Sequence, residues 1–115
     1  MFVVLAIAMQ AQQKTISYIK DDGAWYLVYD ESGKKINTFS KSSVGEVAGW
    51  GIDFFVSRDG NWVKVYDVSG KKLCTLSRMS VGEVLAVSST TFTSQSGNWI
   101  YTFDKTGKKI NTRAK

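Results

Sequence analysis

Short apolar runs separated by polar, glycine-containing turns make up most of this chain, and no helical-period apolar stripe runs for a useful length. The pattern therefore predicts strands. In the middle of the chain, Ile52–Ser57 (IDFFVS) is rich in aromatic and β-branched residues, which suit a pleated, half-buried surface. Asp59-Gly60 follows and predicts a tight hairpin of type I′, which needs positive φ at both central positions. Trp62–Tyr66 (WVKVY) is the next predicted strand. Asp67-Val68-Ser69-Gly70 then has the composition of a type I turn, with the aspartate accepting backbone hydrogen bonds and the glycine taking the left-handed conformation. Lys72–Leu76 (KLCTL) returns as a third strand. The connector Ser80-Val81-Gly82-Glu83-Val84 leads into a fourth, Val84–Ser88.

This unit is written three times with a 37-residue period. Trp25, Trp62 and Trp99 share one register with Gly23, Gly60 and Gly97, and with Asp30, Asp67 and Asp104. Gly33, Gly70 and Gly107 follow, then the pairs Lys34-Lys35, Lys71-Lys72 and Lys108-Lys109, then Thr38, Thr75 and Thr112. The connector Ser43–Val47 is identical to Ser80–Val84. Such self-similarity marks an array of supersecondary units that must stack to bury their apolar faces. The Trp-bearing strands are apolar on both faces: Trp25, Leu27 and Tyr29 alternate with Tyr26 and Val28. That predicts layers on either side of a sheet. The expected organisation is an apolar N-terminal segment (residues 1–11) and one β-repeat domain (12–115), with repeats at about 15–51, 52–88 and 89–115. The chain ends where a third connector would begin, which is the expectation for a complete array.

The run from Trp62 to Leu76, with its Tyr66-Asp67 pair, resembles the third strand, turn and fourth strand of a WD-repeat-like β-propeller blade. The connector with Val84–Ser88 resembles the innermost strand of the next blade. Tyr29-Asp30 and Phe103-Asp104 also stand where that family has tryptophan–aspartate. The family's glycine–histidine pair is missing, and its buried hydrogen-bond network with it. The resemblance implies propeller-like blades in an all-β fold of three antiparallel meanders. A ring usually needs four to eight blades, so three imply an open array or copies that associate, two giving six blades. The rival architecture is a threefold β-trefoil or prism-like barrel, which would close without a partner.

Composition narrows the chemistry. There is no histidine, which excludes Ser-His-Asp and Cys-His machinery and the commonest metal ligand. The single cysteine, Cys74, stands where Asn37 and Asn111 do, and its expected role is a small strand side chain. No enzyme activity, cofactor or metal is expected. The net charge of +5 comes partly from the three Lys-Lys pairs, a distributed stripe rather than a basic tail. These six lysines, with Lys64 and Trp50, are the candidate ligand or interface residues. An anionic polymer would use the lysines as a ladder, but solvated strand starts that guard sheet edges explain them better. Nucleic-acid recognition would want interleaved exposed aromatics along one groove, which the sequence does not offer. The repeat tryptophans are expected mainly to pack; sugar stacking is the alternative. Asp21, Asp22, Asp53, Asp59, Glu46 and Glu83 supply no DxDxDG loop, and Glu46 and Glu83 are expected to make turn hydrogen bonds.

Phe2–Met9 (FVVLAIAM) is uncharged and too short to span a bilayer, which takes about 20 residues. It resembles the hydrophobic region and cleavage site of a secretory signal, so the expected location is periplasmic or secreted. Val4–Ile7 also echoes Val84–Val87, so a strand is the competing expectation. Together these readings predict an exported, non-catalytic binding or assembly module that associates with its own copies or another protein. A carbohydrate-binding protein is the alternative, and no transmembrane span is expected.

Overall fold

The computed structural model describes residues 14–115; the apolar segment at 1–11 lies outside the described residues. Among the described residues, eleven strands form three separate antiparallel sheets. The first contains β1 (Tyr18–Asp22), β2 (Trp25–Tyr29) and β3 (Lys35–Ser40). The middle sheet contains β4 (Glu46–Trp50), β5 (Phe54–Asp59), β6 (Trp62–Asp67) and β7 (Lys72–Ser77). The third contains β8 (Glu83–Val87), β9 (Thr91–Ser96), β10 (Trp99–Asp104) and β11 (Lys109–Ala114). In every sheet, hydrogen-bonded neighbours are also sequence neighbours. The sheets do not close into a barrel, which corrects the trefoil or prism alternative: each keeps its own edges and pairs strands only internally.

Two features differ from the sequence expectation. Lys41–Val44 (α1) and Arg78–Val81 (α2) are single helical turns, each one residue short of the following glycine. Ser40 and Ser77 cap them, their hydroxyls accepting from the amides of Ser42 and Met79. Gly45 and Gly82 then carry the chain out at φ of 89° and 82°. Four residues are too few to show a helical stripe, so the connectors read as coil.

The hairpin turns are also displaced by one residue. Glycine takes the first central position, at φ of 66°, 63° and 62° for Gly23, Gly60 and Gly97, and among the described residues no non-glycine has positive φ. That is the type II′ arrangement, with Ala24, Asn61 and Asn98 second, rather than type I′. Both turn types match the twist of the flanking strands, so the strands themselves are unaffected.

The aspartate turns form as their composition predicts. Asp30 Oδ1 accepts from the Ser32 amide at 2.9 Å, the Ser32 hydroxyl at 2.7 Å and the Lys34 amide at 3.0 Å. Asp67 and Asp104 repeat the set with Ser69 and Lys71, and with Thr106 and Lys108. These bonds favour the ionised carboxylate. For Asp30 and Asp104 the hydroxyl of Ser32 or Thr106 contributes most to holding the pKa below the ordinary 3.8. At Asp67 partial burial acts in the opposite sense, but the bonds from Ser69 and Lys71 outweigh it.

The sheets stack through two cores that share the middle sheet. One core joins Ile19, Tyr26 and Val28 of the first sheet to Phe55 and Tyr66 of the middle sheet, with Phe39, Val47 and Trp50 against them. The other joins Phe54, Val56, Val63 and Val65 to Val84, Phe92 and Phe103 of the third sheet. Burying such side chains contributes about 1.5–3 kcal/mol each, before the entropy of ordering them. The inner strands β4 and β8 approach so closely that a Cβ on Gly49 would lie 2.8 Å from Val87 Cγ2. Backbone bonds tie the inner ends together, from the Ile16 amide to the Ile52 carbonyl at 2.7 Å and from the Ile52 amide to the Ser89 carbonyl at 2.9 Å. Among the described residues no helix is long and apolar enough to cross a membrane.

Candidate interaction surfaces

The three repeat tryptophans are only half-buried, at 50%, 49% and 50% exposure for Trp25, Trp62 and Trp99. Strand register explains this. Each opens its strand beside a hairpin tip, and its cross-strand partners are small or polar: Asp22 and Ser40, Asp59 and Ser77, Ser96 and Ala114. Among the described residues, no large side chain stands directly across the ladder from the indole. The packing is instead carried by the next residues along, Tyr26 and Val28 in the first sheet and Val63 and Val65 in the middle one.

The Lys-Lys pairs open β3, β7 and β11, the outer edge strand of each sheet. Lys34, Lys35, Lys71, Lys72, Lys108 and Lys109 are all exposed. Lys109 lies over the Tyr101 ring, 4.3 Å from its centroid. The pairs therefore line three separate edges rather than one continuous groove. Lys64, unlike the six paired lysines, is largely covered. Its ammonium is 2.8 Å from Asp59, and that hydrogen bond raises its pKa above the ordinary lysine value despite desolvation. Trp50 meets Tyr18 edge-on at 5.9 Å between centroids. It lines an open cleft of about 390 Å³ with Ile16, Glu31, Ile52 and Ser88.

Of the acidic candidates, Asp21, Asp53, Asp59, Glu46 and Glu83 each meet a basic side chain. Asp21 binds Lys41, and Asp53 holds Lys105 at 2.9 Å. Glu46 and Glu83 do not make the expected turn hydrogen bonds. They flank Arg58, at 3.5 Å and 3.3 Å, and Glu83 also takes Arg78 at 3.0 Å. Sequence reasoning missed Arg58. It stands directly across from Glu46 in the β4–β5 ladder, a relation visible only once the register is known. Among the described residues no group of three acidic or cysteine side chains converges for a metal. Cys74 sits half-buried on β7, and burial together with the Asp104 charge pushes its thiol up to about 11, so it stays protonated at neutral pH.

Among the described residues, no further sheet covers the two ends of the stack. On the first sheet's free face are Trp25 and Tyr18, the latter 51% exposed, together with the partly buried Leu27 and Tyr29. The third sheet's free face carries Ile100, Thr102, Asn111 and Arg113, paired across β10 and β11. No protein-family model matches the chain, and no curated protein matches its sequence.

Proposed function

We propose that the chain is a non-catalytic binding and assembly module of an exported β-repeat protein, made of propeller-like blades, whose first partner is a second copy of itself. The observation that carries this reading is the unburied end of the stack. The first sheet presents Tyr18, Trp25, Leu27 and Tyr29 on a face of the kind that the middle and third sheets use to receive a neighbour. An exposed apolar face of this kind is a site for association. Sedimentation across a concentration series tests it: the mass should rise with concentration, and a constant monomer mass at several hundred micromolar counts against it. Export is tested by comparing the cellular fractions of the full chain and one lacking residues 1–11.

A second reading is favoured by the exposure of the tryptophans. Three half-exposed indoles at equivalent hairpin tips offer repeated platforms for sugar rings. Glycan binding that quenches tryptophan fluorescence and is lost in Trp62→Ala would support it. An array without hits would remove it.

A further inference from the structure

The two internal contacts between sheets use equivalent positions. Phe39 of the first sheet packs on Phe55, 5.3 Å between centroids, and closes over Gly70, where a Cβ would meet its ring at 2.7 Å. Asn37 donates its amide to the Val68 carbonyl at 3.0 Å. One repeat on, Leu76 and Cys74 close over Gly107, at 3.4 Å and 2.9 Å from a Cβ there. Leu76 packs in the core that contains Phe92, and the Cys74 thiol points to the Lys105 carbonyl at 3.9 Å.

Continuing by one more period brings two free surfaces into correspondence. The donor positions become Arg113 and Asn111 on the third sheet, both exposed. The acceptor positions become Tyr18, Glu31 and Gly33 on the first sheet, also exposed, and none of the described residues lies within 4 Å of a Cβ built on Gly33. The substitutions at the two ends match. Where Phe39 meets Phe55, and Leu76 packs against the core that contains Phe92, Arg113 would meet the Tyr18 ring. Where the acceptor turn carries Val68 or Lys105, it would carry Glu31, opposite in charge to Arg113. Asn111 restores the amide that Asn37 uses and Cys74 lacks.

We infer that the third sheet of one copy docks on the first sheet of another, with Asn111 donating to the Glu31 carbonyl and Arg113 between the Glu31 carboxylate and the Tyr18 ring. This rests on the assembly reading above and adds its direction. The contact is head-to-tail, so it extends until a ring closes and forms an open filament if none does. It is more polar than the internal contacts, because Thr102 stands where Val28 and Val65 are buried. Association is therefore reversible and weakened by salt.

The test is sedimentation of charge variants at surface positions, with circular dichroism to verify their fold. Arg113→Glu and Glu31→Arg should each weaken association about tenfold or more, and the double swap should restore it. A one-to-one mixture of the two single variants should associate where each alone does not, because one retains Glu31 and the other Arg113. If the parent chain associates but neither variant changes its mass distribution, the head-to-tail contact is overturned and the assembly reading stands. If the parent chain is monomeric at every concentration, both fall.

Discussion

The contact between the first and middle sheets is aromatic and joined by neutral hydrogen bonds, whereas that between the middle and third sheets is more aliphatic and joined by ion pairs. In the former, Phe39 meets Phe55 at a tilt at 5.3 Å, Phe55 stacks on Tyr66 at 5.2 Å, and the Val47 amide donates to the Tyr26 hydroxyl at 3.1 Å. In the latter, Val63, Val65 and Leu76 pack in one core with the stacked pair Phe92 and Phe103. Arg58 there reaches Glu83 and the Val84 carbonyl, while Lys105 reaches Asp53. One backbone geometry thus accepts two side-chain chemistries, because the repeat fixes where a contact falls and leaves its polarity open.

The largest expected effect that would break this comparison comes from the cores. Phe55→Ala should cost about 3–5 kcal/mol by emptying the aromatic stack, and Val65→Ala about 2 kcal/mol. Denaturant melts measure both, and equal losses would mean that the two contacts are energetically alike. Two buried serines at equivalent positions should differ next. Ser57 donates to the Val44 carbonyl at 2.6 Å, whereas the Ser94 hydroxyl has no partner among the described residues. Ser57→Ala should cost about 1–2 kcal/mol, and Ser94→Ala should be within about 0.5 kcal/mol of neutral.

Salt separates the polar links. Arg58→Met should destabilise by about 1 kcal/mol at low ionic strength and by less at high. Tyr26→Phe should cost about as much, with no salt dependence. The smallest effect is a background common to all three sheets. Asp30, Asp67 and Asp104 have lowered folded pKa values, so their contribution is fully present above the ordinary 3.8. It is lost as pH falls through the lower folded values. An acid titration should show this, and Asp67→Asn should flatten it in part.

Strands and aspartate turns were legible because each depends on residues within a few positions of one another. Asp67 and Gly70 define their turn wherever the sheet lies. The exposure of Trp62 was not legible, since it depends on Ser77 and Asp59 being its cross-strand neighbours. The turn type at Gly60 was misplaced by one residue because Asp-Gly also fits the neighbouring hairpin class. Arg58 was hidden for a related reason: Glu46 reaches it through the β4–β5 register and Glu83 through the stacking of β8 on the middle sheet. Among the candidate site residues, the exposed lysines and the paired Lys64 look alike in sequence, and Asp59 across the hairpin distinguishes them.

The sequential strand order bears on how the molecule comes into being. Every ladder closes through a short local loop, so little chain entropy is lost before a contact is rewarded, and such topologies reach the native state quickly. Each hairpin can form as soon as its second strand has been synthesised. Among the described residues, no strand waits for a distant mate, which shortens the interval in which naked edges are open to misassembly.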